Sequence, residues 1–320
     1  ARGAPGELVL SPGAVPGLAR LAEAVHAEGA LASAQVGHAG AVAAGIGVKA
    51  ASPSPIFSPL AMQRTRGLPE TEIRSIIGDF AAGSRLLAES GFDAVELHFG
   101  HGYLPSEFLS PKLNKRTDSW GGSLENRARL CREIAGAVRA TVGSDTAVLA
   151  KLNMDDGVRR GLWLEESVQV ARMLQEDGHL DALELTCGSS LKNPMYLFRG
   201  EVPLDEMAIA MPKAVRPGFR LAGGLFLKEY PFSEAYMLPM ARQFREALDM
   251  PLILLGGINR ADTIDAAVEE GFEMVAIGRA LLRDPQLLQK FASGEASEGL
   301  CVHCNKCMPS IYTGTRCVLR

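Results

Sequence analysis

The chain has 320 residues, 47% hydrophobic and 22% charged, with 34 Gly and 18 Pro. That composition suits a globular chain with a large core and excludes a disordered or fibrous one. Lys and Arg number 33 against 37 Asp and Glu, a formal net charge of -4, which gives no electrostatic reason to expect nucleic acid or an anionic membrane as partner.

No apolar run reaches the ~18 residues of a membrane span. The opening Ala-Arg-Gly-Ala-Pro-Gly does not read as a secretory signal. Six cysteines are too sparse for a disulfide scaffold. A cytoplasmic enzyme acting on a small molecule, as a monomer or a homo-oligomer, is the expectation.

In chain order, amphipathic helices alternate with short apolar strands. Leu18, Leu21 and Val25 mark the first helix, and residues 31–36 read as the first strand. Ile73, Ile77, Phe80 and Leu87 mark the next helix and 92–98 the next strand. Leu130, Ile134 and Val138 precede a strand at 147–153; Leu164, Val168, Ala171 and Leu174 precede one at 180–186. Met237, Ala241, Phe244 and Leu248 lead into 251–257, and Ile264 and Val268 into 272–279. Near-continuous apolar strands suit a parallel sheet covered on both faces. Gly29, Gly91 and Gly271 stand where helices end in the left-handed conformation that glycine adopts cheaply.

These units give a parallel α/β sheet, open or closed into a barrel. Six units are visible where a closed (β/α)8 barrel needs eight, so a barrel would be short at the N-terminus. Residues 188–232 read as an elaborated loop. Residues 299–320 read as a cysteine-containing tail on a single domain spanning 1–320.

The stretch Glu96-Leu97-His98-Phe99-Gly100-His101-Gly102-Tyr103 ends a strand, where ligands of parallel α/β folds bind. Two imidazoles can donate hydrogen bonds to one oxygen, and a phenol can deliver a proton. A structural role for these rings, or a His-x-x-His metal pair, stays open at this point. Lys151 lies inside an apolar strand, where an ammonium needs an anionic partner. That partner is a ligand or an acid such as Asp155 or Glu184; a Schiff-base lysine is a further alternative. Gly256 and Gly257 end one late strand, and Gly278 and Arg279 end the next. Backbone N–H groups at helix starts together with an arginine suit a phosphate.

Cys301, Cys304, Cys307 and Cys317 follow the spacing C-x2-C-x2-C-x9-C. We read them as reduced thiols ahead of a [4Fe–4S] cluster or a zinc site. Cys131 falls in a helical pattern and reads as core, and Cys187 ends a strand.

The paired histidines before Gly-Tyr-Leu, Phe108-Leu109-Ser110-Pro111, and Arg116-Thr117-Asp118 with Gly121-Gly122-Ser123 and Glu125-Asn126-Arg127 carry a resemblance. From about Leu18 onward the chain resembles the Old Yellow Enzyme family of FMN-dependent ene-reductases, in its dienoyl-CoA reductase-like branch. The resemblance implies a (β/α)8 TIM barrel holding FMN, with NADH or NADPH as electron donor. It makes Gln35 a contact of the flavin pyrimidine edge and Lys151 the cation beside the flavin N1–O2 edge. Gly256, Gly257, Gly278 and Arg279 become the FMN phosphate site. Ala41 stands where the family usually has Arg, and His38 reads as structural.

His98 and His101 would polarise the carbonyl or nitro group of an activated alkene, and Tyr103 would protonate it. Relatives in this branch carry a [4Fe–4S] cluster on cysteines more widely spaced than these. A Schiff-base aldolase or isomerase using Lys151 on a phosphorylated substrate, and an inactive, N-terminally short remnant, are the alternative readings.

Overall fold

The computed structural model describes all residues except 1–2, 4–6, 44–48, 59–62, 211–212, 313 and 320. The described residues group into two compact units, 1–192 with 246–251, and 193–245 with 252–320, where the sequence suggests one domain.

The first unit runs α1 (Val15–His26), β1 (Ser33–Val36) and four two-residue strands, β2 (Ala51–Ser52), β3 (Phe57–Ser58), β4 (Gln63–Arg64) and β5 (Arg66–Gly67). It continues with α2 (Glu70–Glu89), β6 (Ala94–Phe99), α3 (Leu104–Leu109), α4 (Leu124–Val142), β7 (Ala147–Asn153), α5 (Leu164–Asp177) and β8 (Ala182–Thr186). Strands β1, β6, β7 and β8 pair side by side, all parallel. One face of β6, β7 and β8 is apolar and fully buried: Val95, Leu97, Phe99, Ala150, Leu152, Leu183 and Leu185.

The helices form where the apolar spacing places them, with some rotation of the buried face. On α2 the buried residues are Ile73, Ile76, Phe80 and Leu87, and on α5 they are Ser167, Val170, Ala171 and Leu174. Ile77 and Val168, expected inward, stand beside those faces because the i, i+3, i+4 rows admit both settings until a neighbour chooses. Ser123 caps α4, its hydroxyl accepting from the Asn126 N–H at 3.3 Å.

The second unit holds α6 (Pro194–Phe198), α7 (Leu204–Ala210), α8 (Arg216–Phe226) and α9 (Leu238–Ala247), whose last two residues belong to the first unit. Then come β9 (Leu252–Leu255), α10 (Ala261–Glu269), β10 (Met274–Ala276), α11 (Arg279–Arg283) and α12 (Leu287–Ser293). Strands β9 and β10 pair in parallel. The six strands expected from the sequence are the long strands found, each within its predicted range or one residue beyond it.

Residues 188–232, expected as a loop, carry three helices. Pro194 and Pro217 sit in the first turns of α6 and α8, where a missing N–H leaves no hydrogen bond unmade. The cysteine tail joins the same body: the Asn305 amide donates to the carbonyls of Arg199 at 3.0 Å and Glu201 at 2.9 Å, and Lys306 pairs with Glu206 at 2.9 Å. Those bonds are why insertion and tail cohere as one unit. Among the described residues no helix is long and apolar enough to cross a membrane.

Candidate functional site

The other face of the first unit's strands is polar. Side chains alternate along a strand, so Glu96 and His98 on β6, Lys151 and Asn153 on β7, and Glu184 and Thr186 on β8 share that face. The register aligns them: His98 pairs with Lys151, Lys151 with Glu184, Asn153 with Thr186, and Gln35 with Glu96.

Lys151 is where sequence left the alternatives open, and the structure gives it two acids. Its Nζ lies 2.9 Å from Glu96 Oε2 and 2.9 Å from Glu184 Oε1. Asp155 is not its partner; that carboxylate accepts from the Gly157 N–H. The Gln35 amide also donates to Glu96 Oε2. One ammonium thus faces two carboxylates with little water, and like charges this close cannot both ionise freely.

Burial and the hydrogen bond with Glu96 push the Glu184 carboxyl up to about 7. Burial also works against the Glu96 anion, but its hydrogen bond with Glu184 and the Lys151 ammonium hold it below the ordinary range. Burial opposes the Lys151 charge as well, yet the two carboxylates raise it. With Glu184 protonated the triad is neutral, which is how the sheet tolerates it.

Beyond the strand end, three rings meet. The His98 ring centre is 5.0 Å from that of His101 and 4.7 Å from that of Tyr103, at tilts of 58° and 60°. His98 is 5% exposed, and its Nδ1 is buried without a hydrogen-bond partner. His101 sits at φ 60°, a left-handed conformation that a non-glycine residue adopts only when its surroundings enforce it. Its N–H donates to Asn153 Oδ1 at 3.0 Å, and its Nε2 lies 2.8 Å from the Thr186 hydroxyl.

Gly102 follows at φ 71°, where a Cβ would also lie 2.7 Å from the Ser189 hydroxyl, so the turn requires glycine. Burial, then the neighbouring Lys151 cation, pushes His101 down to about 3. Burial, His101 and Lys151 hold His98 well below its ordinary value. Both imidazoles are therefore neutral at physiological pH, each with one donor and one acceptor nitrogen. Tyr103 precedes α3 and packs on Ala39, Ala43 and Ala50 and on Ala41, Val42 and Leu191.

In the second unit, Gly256 and Gly257 take φ of 113° and 76°, and a Cβ at Gly257 would strike the Tyr236 ring. Around Gly278, which precedes α11, nothing lies within 4 Å of a built Cβ, so a ligand oxygen has room to approach. Arg279, expected as a bidentate phosphate donor, spends part of its fork internally. Its Nη1 donates to Asn305 Oδ1 and, at 3.4 Å, to the Arg199 carbonyl, and the guanidinium lies 5.8 Å from the Phe198 ring. Cys301, Cys304, Cys307 and Cys317 line one small cleft with Arg279, Arg283 and Asn305.

The residues present fit a flavin in two respects. The first unit buries an unpartnered imidazole nitrogen, His98 Nδ1, and leaves Gln35 exposed on the neighbouring strand. The second leaves open space at Gly278 beside a cation. They do not fit a metal centre in the same way. Although the four cysteines share a cleft, among the described residues no group of three His, Cys, Asp or Glu is arranged to hold a metal ion. No chemistry is therefore routed through a cluster.

Several contributing residues escape a reading of sequence. Thr186 and Asn153 orient His101, and Glu96 joins Glu184, one of the acids the sequence offered, in neutralising Lys151. Glu107 is fully buried, and its Oε1 accepts the Ala41 N–H at 2.6 Å, fixing the turn after Gln35; burial raises its carboxyl well above the ordinary range. Arg127, one of the signature residues, clamps the Leu109 carbonyl and, at 3.0 Å through Nη1, Glu166. Asn114 donates to the carbonyls of Phe108 at 2.9 Å and Trp120 at 2.8 Å, so much of the signature is scaffolding. His38, pushed by burial to about 3, accepts the Gly40 N–H at 3.2 Å through Nδ1, a structural contact. Cys131 and Cys187 are both fully buried.

Comparison with known proteins places this arrangement. Residues 3–185 match the NADH:flavin oxidoreductase / NADH oxidase family. A 4,4'-dithiodibutanoate disulfide reductase from Rhodococcus erythropolis is 56% identical over 315 residues, which is 98% of this chain and 78% of that protein. Among solved structures, a complex of 2-naphthoyl-CoA reductase with 2-naphthoyl-CoA aligns at TM-score 0.76 and 27% identity, covering 94% of this chain and 44% of that one. This chain therefore spans less than half of that enzyme. The old yellow enzyme homologue from Zymomonas mobilis aligns at TM-score 0.68 and 21% identity, covering 92% of this chain and 76% of that one, and shows a shared α/β TIM-barrel fold.

With its Old Yellow Enzyme-like fold and signature, the chain belongs to the NADH:flavin oxidoreductase / NADH oxidase family, a family of FMN-dependent oxidoreductases.

Proposed function

We propose that this chain binds FMN and uses NADH or NADPH to reduce a small electron-poor acceptor, an α,β-unsaturated carbonyl or nitro compound. The observation that carries this is the pair of neutral imidazoles 5.0 Å apart, one with an unpartnered nitrogen, next to a phenol at the carboxyl end of a parallel strand. Gln35 and Lys151 would hold the ring end of the flavin; Gly256, Gly257, Gly278 and Arg279 would hold its phosphate. When bound, FMN supplies two-electron hydride transfer from nicotinamide to acceptor.

The protein's own part is polarisation, alignment and proton delivery. His98 and His101 donate to the acceptor oxygen and draw electron density from the carbon that receives hydride. A Thr186 hydroxyl donating to His101 Nε2, 2.8 Å away, would leave that ring's proton on Nδ1 to meet a ligand. Tyr103 gives its phenolic proton to the neighbouring carbon. Burial above all, with the Lys151 cation adding to it, keeps both imidazoles as neutral donors.

A second acceptor class is favoured by the 56% identity to a disulfide reductase. Hydride added to one sulfur breaks the S–S bond, and the departing thiolate takes a proton from Tyr103, so one NAD(P)H and one proton yield two thiols.

The test begins with the colour of the purified protein. Flavin absorbance should be present or restored by added FMN, bleach anaerobically with NADH or NADPH, and return with cyclohexenone or a disulfide. A protein that stays colourless in excess FMN refutes the assignment. Iron analysis of the same sample decides whether the cysteine cleft holds a cluster, and borohydride trapping of Lys151 on a carbonyl substrate would favour an aldolase instead.

A further inference from the structure

We propose that Glu184 is a positioning residue acting through Lys151: it binds one proton from water when a bound FMN is reduced and releases it when the FMN is reoxidised. The inference rests on the reading of Gln35 and Lys151 as the contacts of the flavin ring end, and all of its residues lie in the first unit.

Lys151 has one acid more than its charge requires. Strand β7 runs between β6 and β8, so the ammonium meets a carboxyl from each neighbour. Glu96 is fixed as the anion: its Oε2 accepts from Lys151 Nζ at 2.9 Å and from the Gln35 amide. Glu184 Oε1 reaches the same Nζ at 2.9 Å, and its second partner is Glu96, to which only a protonated carboxyl can donate. Burying this second acid costs desolvation that pairing Lys151 does not call for. Glu184 is thus the member of the set whose proton can come and go while the ammonium stays matched.

Its setting suits that exchange. Burial and Glu96 raise the carboxyl to about 7, so near neutral pH a modest change in the local field moves the proton. The charged groups acting on it are Glu96 and Lys151; His98 and His101, further along the same face, are held neutral by burial. The Lys151 and Glu184 side chains are 14% and 10% exposed, so neither is sealed from water. Hydride from NAD(P)H brings FMN both electrons and the proton on N5, leaving NAD(P)+ and one added negative charge at the N1–O2 edge, which Lys151 would face. That charge competes for the ammonium and repels an ionised Glu184, which then binds one proton from water. When hydride passes to the acceptor the added charge is gone, and the proton returns to water.

The midpoint potential of the FMN-loaded protein, measured against reference dyes from about pH 6 to 9, tests the assignment, because its slope with pH counts the protons taken up per two electrons. Below about pH 7 the wild type should take up one, the proton of N5; just above it the count should rise to two. Glu184→Gln should stay at one throughout. Glu96→Gln should move the rise to lower pH, since the like charge that holds the Glu184 proton is gone. A wild-type count that does not rise across pH 7 overturns the proposal without any variant. The same rise in Glu184→Gln, or an unmoved one in Glu96→Gln, overturns it as well, and each of these results leaves FMN binding intact. Absorbance of the protein in excess FMN is read first: a colourless sample refutes the flavin reading itself, and this inference falls with it.

Discussion

Buried charge is handled differently in the two units. In the first, Lys151, Glu96 and Glu184 lie within hydrogen-bond reach of one another, and Gln35 completes the set. In the second, Arg199 and Arg283 bury guanidinium nitrogens that have no partner, and Arg279 leans on a neutral amide and a carbonyl. A set that balances its own charge holds together without a ligand, and removing any member exposes the others. A partly exposed arginine with no carboxylate beside it depends less on its neighbours, because water reaches part of its charge.

The largest expected effect tests whether the first unit's polar face carries the chemistry. Tyr103→Phe should slow acceptor reduction by about 10²- to 10⁴-fold, the usual worth of a positioned general acid, while bleaching of the flavin by NAD(P)H keeps its rate. Stopped-flow measurement of the two halves separates them, and equal slowing of both would remove the proton-donor role.

Next comes the self-balanced triad. Lys151→Met strands two buried carboxylates and should destabilise the chain by about 3–5 kcal/mol in urea unfolding. Adding Glu96→Gln and Glu184→Gln to it should restore most of that loss. If the triple variant is as unstable as the single one, packing rather than charge explains Lys151.

The opposite is expected in the second unit. Arg199→Gln should leave ligand-free stability within about 0.5 kcal/mol of the wild type, since it removes a half-exposed cation that no carboxylate pairs with among the described residues. A loss approaching that of Lys151→Met would erase the contrast between the units.

The smallest effect is a slope with pH. The Glu184 carboxyl is raised from 4.5 to about 7 in the folded chain. A raised carboxyl stabilises the fold fully below its unfolded value, and that contribution drains away as pH climbs through the folded one. Stability should therefore decline between about pH 5 and 7 in the wild type, and Glu184→Gln, which cannot ionise, should flatten the decline. An identical slope in both proteins would detach Glu184 from it.

Much of this was legible in the residues. The alternation of apolar strands and amphipathic helices located all six long strands, and the His-x-x-His-Gly-Tyr run after 92–98 put three rings at one strand end. The lone lysine in an apolar strand announced a need for an anion. Glu184 was among the acids the sequence offered to that lysine; the other partners stayed hidden. Nothing near Lys151 in sequence points to Glu96, 55 residues away, and Thr186 is 85 residues from the histidine it orients. The insertion reads as loop because α6 and α7 are short and α8 carries three glycines, although Pro194 and Pro217 mark the starts of α6 and α8.

Local chemistry determined the elements, the family signature and the rings that gather at the end of β6, because periodicity, turn residues and strand ends act over a few positions. Strand register decided which charges cancel, and tertiary packing decided which imidazole nitrogen is left without a partner. Those outcomes depend on groups brought within about 3 Å across tens of residues, a distance scale on which hydrogen bonds and desolvation act and to which sequence spacing is blind.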